Sequence, residues 1–299
     1  MIAYVESPFQ YLQVIEYIKV KNIDPSHVHL FVRQTHVAMN NQQIKNMVKL
    51  VPINYRKITY AKNWVLVIAY GLKGCLTDVQ PNTILIGDEN SFFTKTMNCF
   101  ISKTRFIYLD DGAATLNSKK ILNRFSIFSK KKSQKNTFAY LSSHFIKQSS
   151  SYQKKPAIVM VGAKFIEAKI STFEDYESYL LQISSDLRRD YPEAPTFYIP
   201  HRYEGDHLDR LKASVFNKFD IEIIRLAYPI ELIQMELEQK ILYFVSFFST
   251  ALFSLQLLYP ETSFCYYELP KQKIRKRQKQ IENIYTILAQ SGMPRKDLK

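Results

Sequence analysis

Short apolar runs alternate along this chain with amphipathic stretches, and the runs end in polar clusters. Ile2–Val5 predicts a strand, and Ser7-Pro8 predicts a helix start, with Ser at the cap, Pro in the first turn and apolar residues at Phe9, Leu12, Ile15 and Ile18. The pattern continues with a strand over 28–32, a helix over 42–51, a buried helix over 64–76, and strands over 83–86 and Phe106–Leu109. A second series follows: strands over 157–161, Thr196–Ile199, 221–224 and 242–245, an amphipathic helix over 172–190, and a last helix over 276–289. Strand–helix alternation of this kind describes parallel sheets, and two such series predict an α/β protein with two Rossmann-like domains facing each other across a cleft. The Ser- and Lys-rich stretch 123–155 is the expected boundary, a solvated linker or mobile loop between domains 1–155 and 156–299. The last helix is expected to be able to pack back on the first domain. No internal repeat is visible.

The polar clusters sit where open α/β sheets carry their chemistry, at the carboxyl ends of strands. Asp110-Asp111-Gly112 follows Phe106–Leu109, His201-Arg202 follows Tyr198-Ile199-Pro200, and Ser246 with Ser249-Thr250 follows the run 241–245. A carboxylate can take a proton from an acceptor hydroxyl, and pairing raises one of two carboxyl pKa values toward neutrality. Gly112 permits a sharp turn out of the strand. A histidine with an arginine beside it can hold a departing phosphate, and hydroxyls at a helix start can cradle one without a glycine-rich loop. Each cluster also has a plainer reading: an Asp-Gly turn, a solvated loop histidine, a helix cap. Glu231 lies in a loop where a carboxylate can accept ribose hydroxyls, whereas Glu204, Asp206 and His207 read as ordinary residues of a helix N-terminus.

Composition narrows the choice. A chain of 299 residues, 46% hydrophobic, buries a sizeable core. The net charge of +14 is uneven: residues 1–150 carry 20 Lys and Arg against 8 Asp and Glu, and residues 151–299 carry 21 against 19. The first half therefore favours an anionic partner, either an acidic membrane surface, an acidic acceptor or nucleic acid. No helix-turn-helix, RNA-binding or zinc signature supports nucleic acid, so that reading rests on charge alone. Cys75, Cys99 and Cys265 lie in apolar runs without metal-ligand spacing and read as core cysteines of a reducing compartment. The start of the chain has no basic segment followed by a long apolar one, so no signal peptide is expected. Residues 241–259 hold no charge and are long enough to span a bilayer; Ser246, Ser249, Thr250, Ser254 and Gln256 within them favour a strand, a tight turn and a buried helix. Neither a Gly-x-Gly-x-x-Gly nor a Walker stretch occurs.

Taken in order, the acid pair, the histidine, the loop glutamate and the Ser-Thr pair resemble the bacterial sialyltransferases and polysialyltransferases. That group has Asp/Glu-Asp/Glu-Gly in its first domain, with His-Pro and Ser/Thr-Ser/Thr in its second. Ser7-Pro8-Phe9-Gln10 and Gly87-Asp88-Glu89-Asn90 extend the resemblance over most of the chain in short islands. The resemblance implies a GT-B fold and an inverting, metal-independent transfer of a nonulosonic acid from its CMP derivative, with no cofactor. It implies Asp110 as general base with Asp111 its neighbour, although the sequence does not rank the pair, and His201 as the group that stabilises or protonates the departing phosphate. Arg202, Glu231, Ser246, Ser249 and Thr250 then bind the donor, and Gln10 and Asn90 the acceptor. Arg202 stands where the family has Pro, a departure that bears on donor identity more than on reaction class. The partners implied are a CMP-sugar and a glycan or lipid-linked glycan, not nucleic acid, in the cytoplasm at the inner face of the cytoplasmic membrane. Two alternatives stand beside this reading: a GT-B transferase for another nucleotide sugar, and a non-catalytic basic protein that binds membranes or nucleic acid.

Overall fold

The computed structural model describes residues 1–53, 55–58, 83–87, 89, 91–116, 118, 123–146, 154–205 and 207–298. The chain divides into two compact units, Met1–His144 with Ala227–Pro229, and Phe145–Leu226 with Ile230–Lys299. The first unit holds β1 (Ile2–Val5), β2 (His29–Arg33), β3 (Tyr55–Ile58), β4 (Ile84–Ile86), β5 (Phe106–Leu109) and β6 (Arg124–Phe125), paired in the order β3-β2-β1-β4-β5-β6. The second holds β7 (Lys154–Val161), β8 (Thr196–Ile199), β9 (Ile221–Ile223), β10 (Gln239–Ser246), β11 (Ser263–Glu268) and β12 (Arg295–Asp297), in the order β12-β11-β10-β7-β8-β9. Every pairing between these strands is parallel. Counted from its own first strand, each sheet runs 3-2-1-4-5-6, so the two units share a topology that leaves no trace as a sequence repeat. Strand order reverses at β1/β4 in one unit and at β7/β10 in the other, the positions where open α/β sheets form crevices for ligands.

Burial explains the strands. Ile2, Ala3, Tyr4 and Val5 are all buried, as are Ile84, Leu85 and Ile86, which is the continuous apolar run expected of a strand covered on both faces. Helix α1 (Pro8–Val20) starts as predicted: Ser7 is extended (φ −134°, ψ 153°) and its hydroxyl accepts the Gln10 N–H, a cap worth about 1 kcal/mol. In the second unit, Thr172 caps the helix Phe173–Asp190 in the same way, and Tyr176, Tyr179, Leu180, Ile183 and Leu187 form its buried face. The helix Gln278–Gln290 buries Ile281, Ile284, Tyr285 and Leu288, with the Tyr285 ring stacked on Tyr266 of β11 at 5.6 Å. β12, Arg295-Lys296-Asp297, was outside the sequence expectation because a polar edge strand has no apolar signature; its pairing with Tyr266–Glu268 holds it.

Two expectations change. The stretch 123–155 is not a solvated linker among its described residues: Phe125, Ser126, Asn136, Phe138 and Leu141 are buried, and the backbone N–H groups of Tyr140 and Leu141 donate to the buried Glu16 carboxylate at 3.0 and 3.1 Å. Its serines and lysines surround an apolar and hydrogen-bonded framework that composition hides. Cys99 lies exposed on the helix Phe92–Phe100 and is no core cysteine, whereas Cys265 in β11 is buried; Cys75 lies outside the described residues. The uncharged run 241–259 is, as expected, the end of β10, a turn and the helix Ala251–Leu258, and among the described residues no helix is long and apolar enough to cross a membrane. The helix expected over 64–76 lies outside the described residues.

Candidate functional site

The first unit gathers its polar residues at the carboxyl ends of β1, β4 and β5, three neighbouring strands. Gly112 adopts φ 53°, which turns the chain out of β5 as expected from Asp-Asp-Gly. The two aspartates it follows are in different environments. Asp110 is completely buried, and both carboxylate oxygens are engaged: one accepts the Ser126 hydroxyl at 2.6 Å, the other the Ile127 N–H at 2.9 Å. Burial pushes its carboxyl up from 3.8 to about 6, against the opposing pull of the Ser126 and Ile127 bonds and the Arg124 charge. Asp111 is half-buried, and its Oδ1 accepts from Gln10 Nε2 at 3.2 Å. Helix α1 also grips the pair from below. Gln13 Oε1 accepts the Asp110 N–H at 2.8 Å, and Gln13 Nε2 donates to the Asp110 carbonyl at 3.0 Å.

Gln10 explains Gly87. Its amide runs across the end of β4 so closely that a Cβ at position 87 would lie 2.1 Å from Nε2, and any side chain there would push the Gln10 amide out of this position. The Gln10 side chain also accepts the Glu6 N–H at 2.8 Å, so one residue ties the ends of β1 and β5 together across the end of β4. Glu89, in the same turn as Gly87, is buried and paired with Arg124 of β6 and with Ser118. Asn90, expected to meet the acceptor, lies outside the described residues.

In the second unit the corresponding reversal of strand order lies between β7 and β10, with β8 beside β7. His201 follows β8. Its Nδ1 accepts the Tyr203 N–H at 3.2 Å, so the neutral ring carries its proton on Nε2. The Tyr203 ring stacks on the imidazole at 5.5 Å and 18°, and Lys164 Nζ sits 5.1 Å from the centre of the Tyr203 ring. Desolvation, with the charges of Arg202 and Lys164, holds the imidazole far below its ordinary value, at about 3. His201 is therefore a neutral hydrogen-bond donor across the physiological range.

Arg202 acts on a second residue as well. Its charge opposes the rise that burial produces in the Glu231 carboxyl, so Arg202, His201 and Glu231 share one electrostatic neighbourhood. Glu231 is 4% exposed and accepts the Ser254 hydroxyl at 2.7 Å, while its carbonyl accepts the Tyr259 hydroxyl at 2.9 Å. Those bonds fix Glu231 against the helix Ala251–Leu258. At the start of that helix, Ser249 Oγ accepts the Ala251 N–H at 3.3 Å, whereas Thr250 at the cap position makes no side-chain cap bond. Ser246 differs from its expected role: it is buried and its hydroxyl donates to the Val161 carbonyl at 2.8 Å, linking β10 to β7.

In each unit, residues to which the sequence assigned no role in the site hold the candidate residues in place. Glu204, expected to be an ordinary helix-terminal residue, is 2% exposed. Its N–H donates to the His201 carbonyl at 2.7 Å and its Oε2 accepts the His201 N–H, a reciprocal closure at i and i+3. That spacing is the signal that could have found it. Gln13 and Ser126 were missed too. Gln13 stands out as a polar residue on an apolar helix face, but nothing local marks Ser126. Among the described residues, no group of three or more His, Cys, Asp or Glu side chains is arranged to hold a metal ion.

No family model matches the sequence, and no curated protein matches it either. Solved structures do match the fold. A UDP-GlcNAc 2-epimerase from Methanocaldococcus jannaschii is 10% identical with a TM-score of 0.54, covering 95% of this chain and 90% of its own. Another UDP-N-acetylglucosamine 2-epimerase is 10% identical at a TM-score of 0.50, covering 97% of this chain and 86% of its own. E. coli heptosyltransferase WaaC with ADP-2-deoxy-2-fluoro heptose is 8% identical at 0.49, covering 97% and 100%. At such identities the likeness is one of fold: this chain is an α/β protein of the GT-B type, built from two Rossmann-like parallel-sheet domains.

Proposed function

We propose that this chain is an inverting, metal-independent glycosyltransferase that moves a sialic acid or related nonulosonic acid from its CMP derivative to a glycan acceptor. The observation that carries the reading is the state of His201. It is a neutral imidazole with Nδ1 occupied and Nε2–H available, accompanied by Arg202 and Lys164. Such a group suits a leaving phosphate, whose growing charge needs hydrogen bonds and cations rather than a proton. Ser249 and Thr250 at a helix start are suited to the same phosphate, and Glu231 to ribose hydroxyls. In the reaction, the acceptor oxygen forms a bond to the anomeric carbon while the bond from that carbon to the CMP phosphate breaks, CMP leaving with the electron pair. The acceptor proton passes to a carboxylate of the Asp110–Asp111 pair. Asp111 is the member we assign to that step, because Asp110 is enclosed with both oxygens engaged. The tertiary anomeric carbon of a nonulosonic acid favours an oxocarbenium-like transition state, so alignment and charge stabilisation do most of the catalytic work. Peripheral attachment to an anionic membrane, through the basic first unit, belongs to the same proposal.

A second reading is transfer from a UDP-activated sugar, and the likeness in fold to UDP-GlcNAc 2-epimerases favours it. A thermal-shift panel separates the two. Ligand at a hundred times its Kd stabilises by about 2.7 kcal/mol, so CMP is expected to raise the melting temperature more than UMP, GMP or duplex DNA. A larger shift with UMP favours the second reading, and a shift with DNA alone sinks both.

A further inference from the structure

The loop that carries His201 is anchored to a buried carboxylate. Glu204 Oε2 accepts the His201 backbone N–H. The other oxygen, Oε1, lies 2.8 Å from the Tyr176 hydroxyl and 2.7 Å from the Tyr198 hydroxyl, and the two phenols are 2.6 Å apart. Both tyrosines are fully enclosed, and burial followed by the Glu204 charge raises their pKa values well above the ordinary range, so they act as donors. Phe165 stacks on Tyr176 at 4.4 Å and Phe247 meets Phe165 edge-on at 4.7 Å, which closes the group from solvent. The end of β7 is shaped around it. A Cβ on Gly162 would lie 2.2 Å from Glu204 Oε2, 2.6 Å from the Tyr198 hydroxyl and 2.9 Å from the His201 nitrogen. A buried carboxylate is costly to keep; here the His201 N–H, a hydrogen-bonded pair of tyrosines and a glycine are committed to it, and what it holds is the backbone of His201.

We propose that Glu204, admitted by Gly162, is the positioning residue of His201: it fixes the turn 201–204 so that the Tyr203 N–H reaches Nδ1 and the ring presents Nε2–H. The buried carboxylate does not touch substrate. It acts through the imidazole by selecting its tautomer and direction, as the orienting group of a catalytic histidine does.

The test reads the tautomer directly. In the full-length protein with isotope-labelled histidine, long-range nitrogen–proton correlation spectra assign the six imidazoles, with His201→Gln identifying the signal of interest. The wild-type ring is expected as the Nε2–H tautomer at pH 7. Glu204→Ala is expected to release it into exchange between both tautomers, and Glu204→Gln, which keeps an oxygen for the His201 N–H, to restore the wild-type signal. Gly162→Ala retains every hydrogen-bonding group but crowds Glu204 Oε2, the Tyr198 hydroxyl and the His201 nitrogen, so it is expected to break the same anchor and act like Glu204→Ala where that variant does not fold. In transfer assays, Glu204→Ala is expected to lower kcat/KM for the donor at least tenfold, with acceptor KM changed less than twofold, and Glu204→Gln to recover most of the loss. An Nδ1–H ring in the wild type, or a wild-type tautomer in folded Glu204→Ala or Gly162→Ala, overturns the proposal. The kinetic arm rests on the transfer reading, whereas the tautomer is read without donor, so failure of one is distinguishable from failure of the other.

Discussion

Asp110→Asn separates the electrostatic cost of a buried carboxyl from the hydrogen bonds it makes. Burial carries the Asp110 carboxyl from 3.8 to about 6. Because the folded value lies above the unfolded one, folding favours the protonated form. The contribution to stability is complete below about 3.8 and is lost as pH rises through about 6. A displacement of this size corresponds to about 3 kcal/mol. Asn is neutral at every pH and keeps one oxygen for either Ser126 or Ile127, leaving the second contact facing amide hydrogens, at a cost of about 1–2 kcal/mol. The variant is therefore expected to be less stable than wild type at pH 4 and more stable at pH 7.5, with the two curves crossing between. Other titrating groups cancel in the difference. Urea unfolding at several pH values, with hydrogen exchange followed in peptides spanning residues 106–127, reads the first unit without interference from the second. A variant that is destabilised by the same margin at both pH values would refute the argument, because it would show that burial leaves this carboxyl near its ordinary value.

The catalytic pair and the basic surface supply the remaining tests. Asp111→Asn and His201→Ala are each expected to lower turnover by on the order of a hundredfold, the scale of losing a general base or a charge stabiliser. His201→Ala should also weaken CMP binding in calorimetry, while Asp111→Asn should spare it; a silent Asp111→Asn together with an inactive, folded Asp110→Asn would move the base to Asp110. Because His201 is held neutral, down at about 3, turnover should show no limb belonging to it between pH 5 and 8, and a limb that disappears in His201→Ala would contradict that. Changing Lys130, Lys131 and Lys132 together to Ser should weaken salt-sensitive co-sedimentation with acidic liposomes, at about 1 kcal/mol per well-placed charge, and leave turnover on small acceptors intact. Binding that ignores both salt and the substitution removes the membrane role.

Much of the framework was legible because its signals are local. Apolar runs of four to six residues, ended by Gly, Pro or acid, marked β1, β5 and β8, and Ser7-Pro8 and Thr172 marked two helix starts. The same locality explains what was not legible. Ser126 lies 16 residues beyond Asp110 in a stretch whose composition says solvent, yet it is buried because it holds that carboxylate. The glycine at 162 looks like any strand end until the carboxylate it admits is known. β12 is three polar residues held by the strand beside them and by Gln182 and Asp190 of the helix Phe173–Asp190, none of which is near it in sequence.

Helix α1 shows where the sequence carried more than was read. Gln10, Gln13 and Glu16 recur at a spacing of three along a helix whose other buried residues are Pro8, Tyr11, Leu12, Val14, Ile15, Tyr17 and Ile18, and all three polar residues are buried. An isolated polar side chain enclosed by apolar neighbours is costly unless it is bonded. Three in register, on one face of one helix, imply backbone or side chains brought to that face from elsewhere in the chain. Each does hold a distant segment: Gln10 the Asp111 carboxylate across 101 residues, Gln13 the Asp110 backbone across 97, and Glu16 the Tyr140 N–H across 124. The Asp-Asp turn and the segment that follows β6 are thus fastened to the same first helix, and the precision of a carboxylate pair on a loop derives from amides on a rigid element beneath it. The pattern of polar residues within the apolar face marks the site's foundation, as the apolar runs mark its sheet.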